Sequence, residues 1–218
     1  MINRLRSFPL WLVPPLFVLI LGYLHVLGLT GVIGPSGSWG LQPRQPGQWV
    51  HLLSFHLRHT NWEHLFSNAF PLLFLGSLVA VLYPKATPRA WVLLLLGSGP
   101  LVWMFGKDGY HVGASALAYG LFHFLLGMGL WRRDRPALAG AFMAVLLFGG
   151  MFLAWMAPEG VSWEGHLSGA IMGHVAAFLW RKQDPFPEPI VWEDDTQEEE
   201  LDREKDLENN NPSKGLVL

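Results

Sequence analysis

Three short segments hold the residues whose types and spacing could do chemistry. HTNWEHLFSN, residues 59–68, places His59, His64 and Asn68 together. GASALAYG, residues 113–120, sets Ser115 among small neighbours, and GHLSGAIMG, residues 165–173, carries His166. A serine hydroxyl is a poor nucleophile until a base within hydrogen-bond reach takes its proton, and an imidazole is the commonest such base. A tetrahedral intermediate on that serine would need donors for its oxyanion. The Asn68 amide, His64 and the Ser115 backbone N–H are the candidates. Glu164 lies two residues from His166 on the opposite helix face and Asp108 is no better placed, so a Ser115–His166 dyad is expected, without a third carboxylate member. Tyr119, one turn below Ser115, is positioned to support the histidine ring by packing.

Such a dyad needs elements that bring residues about fifty positions apart to one place. The chain has 218 residues, 51% of them hydrophobic and only 15% charged, with a mean hydropathy of +0.28. A membrane span takes roughly 20 mostly apolar residues to cross about 30 Å of hydrocarbon. Six candidates run over Pro9–Leu29, Trp62–Tyr83, Trp91–Phe105, Ala114–Trp131, Ala137–Met156 and Ser162–Trp180. The expected fold is therefore all-α, a polytopic six-helix membrane bundle. Arg4 and Arg6 before the first run resemble a signal peptide, but the run is long, contains Pro14–Pro15 and lacks a small-residue cleavage pattern, so it reads as a retained helix. Lysine and arginine gather on one side (Arg4, Arg6, Lys85, Arg89, Arg132, Arg133, Arg135, Arg181, Lys182), leaving Arg44, Arg58 and Lys107 on the other. That bias puts both termini in the cytoplasm.

Depth and helix phase follow from this arrangement. The second, fourth and sixth spans run from outside to inside, and His64, Asn68, Ser115 and His166 fall within about the first two turns of theirs. Polar side chains at one level within the spans are expensive and are candidates for function. His64 and Asn68, four apart, share a face. On the sixth span His166, Gly169 and Gly173 form one stripe, and glycines on such a stripe let another helix approach closely. The fourth span offers Gly113, Ser115, Tyr119 and Gly120. His123 and His174 lie about two turns deeper at matching depth, where a structural hydrogen bond is expected.

Composition also excludes. Of the seventeen acids twelve lie beyond Gln183, so residues 1–182 read as a nearly acid-free membrane domain, the one expected to carry the dyad, and residues 183–218 as an acidic tail. The tail has no apolar periodicity and reads as disordered. There is no basic surface for nucleic acid. With no cysteine, disulfides, thiolate metal sites and cysteine nucleophiles are excluded. The zinc-protease pattern H-E-x-x-H is absent, the spans hold no aspartate pair, and G-x-S-x-G fails at Leu117. The chemistry calls for no metal and no cofactor.

Taken together, the three segments resemble those of the rhomboid family of intramembrane serine proteases. His59, His64 and Asn68 follow its H-x4-H-x3-N pattern, with Gly76 beyond; Gly113 and Ser115 follow its G-x-S, with Tyr119 four residues on; His166, Gly169 and Gly173 follow its H-x2-G-x3-G. The resemblance covers roughly Pro9 to Arg181. It implies hydrolysis of a peptide bond in or near a transmembrane segment of another membrane protein in the lipid bilayer; the compact six-span form points to a bacterial inner membrane. It implies Ser115 as nucleophile, His166 as general base and then acid, Asn68 and His64 at the oxyanion, and His59 bracing the long outer loop from Thr30 to Asn61. The loop near Pro158–Val161 would cap the site.

Two departures stand out. Ala116 follows the serine where the family has glycine, and restoring glycine there is expected to raise or preserve activity. The first loop has Trp39 and Arg44 apart in place of an adjacent Trp-Arg pair. Two other readings are consistent with parts of the pattern: a catalytically inactive rhomboid-like protein that binds membrane helices, and a membrane haem protein using His123, His174 or His166 as axial ligands.

Overall fold

The computed structural model describes residues 9–156, 162–188 and 201–206. The chain divides into two units, Met1–Phe186 and Pro187–Leu218. Helices account for the regular structure of the first: α1 Val13–Leu29, α2 His51–Ser54, α3 Trp62–Leu82, α4 Thr87–Phe105, α5 Ser115–Arg132, α6 Arg135–Phe148 and α7 Trp163–Trp180. A short 3-10 turn, Leu10–Leu12, precedes α1, and a longer 3-10 segment, Gly149–Met156, continues α6. Of the second unit the described part includes a helical stretch at residues 201–206, with Lys205 bonded to Asp202 at 3.0 Å. The disorder expected of most of the tail, and the cap expected near Pro158–Val161, fall outside the described residues.

Local chemistry sets the helix starts. Asn61 caps α3 by accepting from the His64 N–H at 2.8 Å, Asp134 caps α6 from Ala137 at 2.9 Å, and Ser162 caps α7 from Gly165 at 3.1 Å. Side-chain oxygens at these positions satisfy donors that have no partner inside the helix. Gly113, at φ +115°, turns the chain into α5 in a conformation that a side chain would resist. Helix α4 begins at Thr87, four residues before the expected Trp91, because Pro88 suits a first turn. It then runs through Pro100 to Phe105.

Four of these elements, Leu10–Leu29, Trp62–Leu82, Thr87–Phe105 and Arg135–Phe152, are long and apolar enough to cross a membrane. Six spans are expected from sequence. The two that differ, α5 and α7, have 18 residues each and are diluted by Gly, Ala, Ser and His. Helix α5 is buried along most of its length, and α7 along the face that carries Gly169 and Gly173, with Ile171, Val175 and Phe178 exposed on its other side. Helices α1, α3 and α6 likewise expose large apolar side chains, among them Leu19, Phe66, Phe70 and Leu146. Apolar outward faces around a polar-tolerant centre are the pattern of a bundle in lipid.

Helices α5 and α7 form the closest pair. A Cβ on Gly169 would run into the Ala116 carbonyl, and one on Gly173 into the Gly120 carbonyl. Both glycines are therefore required by backbone-to-backbone approach. Around this pair α3, α4 and α6 complete the core: Leu72 and Leu75 of α3, Leu94 of α4 and Ala137 and Ala144 of α6 pack with Leu121, Phe124 and Met128 of α5, all fully buried. The first loop folds back on the bundle: Leu41 and Phe55 are buried against Val102 and Ala116.

Candidate active site

The cavity that concerns chemistry opens between the starts of α3, α5 and α7. It has a volume of about 580 Å³, and Ser115, His166, His64, Asn68 and Tyr119 all line it. Three helices contribute because their first turns converge on it.

Each side chain has an identifiable support. His166 is 6% exposed, and the Tyr119 ring stacks on it at 4.1 Å between centroids and 6° between planes. Tyr119 is itself fixed, its hydroxyl donating to the Met151 carbonyl at 3.0 Å. His166 Nδ1 is buried with no partner among the described residues. No hydrogen bond joins Ser115 to His166 among the described residues; the two face one cavity from helices locked together at Gly169 and Gly173. Bonds of this kind are often long before substrate binds and tighten afterwards.

The opposite wall carries donors. Asn68 is 4% exposed and its amide nitrogen donates to the His64 carbonyl at 2.9 Å, with a second N–H to spare. A side chain on Gly113 would strike His64 Nε2 and Cε1 and come within contact of Asn68 Nδ2. The backbone just before Ser115 therefore lies against both groups. His64 Nδ1 is 3.2 Å from the Thr60 hydroxyl; with that hydroxyl donating, the ring proton sits on Nε2, the atom beside Gly113. Ser115 is the first residue of α5, so its N–H has no intrahelical partner.

His59 packs edge-on against His64 at 5.1 Å, and its Nε2 accepts from the Ala114 N–H at 3.3 Å. It links the end of the first loop to the residue before Ser115. Burial, with smaller contributions from His64, His25 and His56, pushes the His59 imidazole down to about 3. Neutrality is what lets Nε2 accept a bond.

Of the site residues expected from sequence, Ser115, His166, His64, Asn68 and Tyr119 share one cavity, whereas Gly113, His59, Gly169 and Gly173 do not line it and pack against those that do. His123 and His174 lie away from it, with Nδ1 of one 3.2 Å from Nε2 of the other. Among the described residues no cluster of three or more His, Asp or Glu is placed to hold a metal. The structure adds Ser162 and His111 to the cavity wall, 2.6 Å apart across the start of α7. Ser162 could be read as a helix cap from sequence, but its partner 51 residues away gave no signal.

Ala116 needs separate attention. It does not line the cavity. It is 1% exposed and packs with Leu41, Phe55 and Val102 beneath the first loop.

The sequence matches the Rhomboid domain family over residues 46–183. An uncharacterised protein of Mycobacterium tuberculosis is 36% identical over 180 residues, covering 73% of this chain and 73% of that protein. One of Mycobacterium leprae is 38% identical over 135 residues, covering 56% of this chain and 52% of its own. The Bacillus subtilis protein YdcA, whose name carries rhomboid protease as a proposed assignment, is 27% identical over 139 residues, 61% of this chain and 68% of its own.

Proposed function

Since the chain belongs to the rhomboid family, we propose that it is an intramembrane serine protease. Its substrates are transmembrane proteins cut in or near a membrane-spanning segment. The observation that carries this reading is the shared cavity of Ser115 and His166, with Asn68 and His64 on the facing wall.

His166 takes the proton of the Ser115 hydroxyl as the oxygen attacks the scissile carbonyl. Asn68 Nδ2, His64 Nε2 and the Ser115 N–H face the oxygen on which negative charge develops. His166 then returns the proton to the leaving amine, and an acyl-enzyme remains. Water attacks that ester with His166 again acting as base, and the carboxylic acid leaves as Ser115 regains its proton. The peptide bond and one water are consumed, and side chains and water suffice. Tyr119 holds the imidazole plane through stacking.

The same reading takes six spans, α5 and α7 included, with both termini in the cytoplasm of a bacterial inner membrane. The test is a fluorophosphonate probe applied to the protein in detergent. Labelling of the wild type that vanishes in Ser115→Ala and in His166→Ala supports the dyad. A folded wild type that neither labels nor cleaves a model transmembrane substrate would favour a helix-binding role without catalysis.

A further inference from the structure

His111 is the one cavity-wall histidine to which the chemistry above gives no role. It lies in the connection between α4 and α5, two residues before Gly113, and is 8% exposed. Its backbone makes a two-bond bridge with Leu41 of the first loop, N–H to carbonyl in both directions at 2.9 Å. Its Nε2 is 2.8 Å from the Lys107 carbonyl and its Nδ1 is 2.6 Å from the Ser162 hydroxyl.

These distances fix the protons. A carbonyl only accepts, so Nε2 carries the hydrogen and Nδ1 is the acceptor. Ser162 donates its hydroxyl proton to Nδ1 while its lone pair takes the Gly165 N–H at 3.1 Å. Both ring nitrogens of His111 are thus engaged, and the chain of bonds runs from Lys107 through His111 and Ser162 into the first turn of α7. His166 stands one turn further along the same helix.

Neighbouring contacts run in the same direction. Arg44 of the first loop donates to the Gly106 carbonyl at 2.6 Å, and Lys107 Nζ lies 4.0 Å from the buried Glu164 carboxylate of α7. Only the His111–Ser162 bond among these is at full hydrogen-bond strength between the connection and α7.

We propose that His111 is a positioning residue that sets the start of α7, and hence His166, against Ser115. The effect on rate rests on the catalytic reading above; the bracing itself does not. A base displaced by about 1 Å costs on the order of tenfold to hundredfold in rate.

The chain contains no cysteine, so two can be introduced cleanly. Spin labels at Tyr110→Cys and Ile171→Cys report the distance from the connection to α7. His111→Asn keeps an acceptor where Nδ1 stands and can still receive the Ser162 proton. His111→Gln reaches the Nε2 position and loses Ser162. The distance distribution should stay narrow in the Asn variant and broaden in the Gln and Ala variants. Ser115 labelling should fall about tenfold or more in the broadened variants with little change in Tm, and stay near wild type in the Asn variant. Equal distributions in the Asn and Gln variants would overturn the proposal, as would a slow variant whose loss tracks its Tm. If the wild type does not label, the catalytic reading fails, and the distance distributions still decide whether His111 braces α7.

Discussion

Helices α5 and α7 meet twice in polar surroundings, and the two ends are built differently. At the far end from the cavity Arg132 is almost saturated. Its side chain, 3% exposed, pairs through Nε with Asp134 at 2.6 Å. Nη1 donates to the carbonyls of Arg181 and Asp184 at 3.0 and 2.9 Å, and Nη2 to that of Pro185 at 3.0 Å. The Phe186 ring covers the guanidinium at 4.1 Å. Asp184 in turn accepts from the N–H groups of Lys85 and Ala86 at 2.8 and 3.0 Å. At the cavity end His166 Nδ1 and Glu164 Oε1 are buried with no hydrogen-bond partner among the described residues. A buried polar group left without a partner costs free energy. One end is finished as a joint; the other is left unfinished around a cavity.

Substitutions should separate the two ends. Ser115→Ala and His166→Ala are expected to remove cleavage, a loss of 10³-fold or more, with Tm almost unchanged; a large fall in Tm would mean these residues hold the fold. Arg132→Met should do the reverse. Leaving the Asp134 carboxylate buried without its cation costs about 3–5 kcal/mol, read as thermal or denaturant unfolding, with Ser115 labelling at wild-type rate in the protein that remains folded. Ala116→Gly removes a buried methyl and loosens a helix, for a loss of about 1–2 kcal/mol. Because that methyl points under the first loop, labelling should persist; an inactive but well-folded variant would show instead that the methyl shapes the site. Tyr119→Phe loses the bond to Met151 but keeps the stack, so about 1 kcal/mol of stability and little rate are at stake.

Acid should act on the first loop. Burial holds His56 at about 3, against an ordinary 6.5, and His59 shifts likewise. Their stabilisation is complete above pH 6.5. It is lost as pH falls towards 3, because the unfolded chain takes up protons that the folded one refuses. Tm measured from pH 7 down to pH 4 should decline, and less steeply in His56→Gln.

Sequence reasoning reached the site further than its supports. Ser115, His166, His64 and Asn68 could be aligned because depth and helix phase are local properties. The two-residue turn at Arg133 and Asp134 and the cap at Asn61 are local as well. What escaped were contacts between distant segments. Nothing periodic connects His111 to Ser162, or Arg132 to the carbonyls of residues 181–185. The start of α4 was missed since Thr87 and Arg89 are not apolar, and hydrophobic runs mark only the part of a helix that meets lipid. Ala116 could be recognised as a departure, but its direction depends on Leu41 and Phe55, residues from the folded-back loop.

The glycine contacts between α5 and α7 have a mechanical consequence. At Gly169 and Gly173 the spacing of the two helices is set by main chain against main chain, with no side-chain rotamer in between. Rotamers hop and soften a contact, whereas carbonyls held in a helix do not. The distance separating Ser115 from His166 therefore inherits the stiffness of the backbone, like the gap of a gauge block, and a single added methyl would shift its calibration.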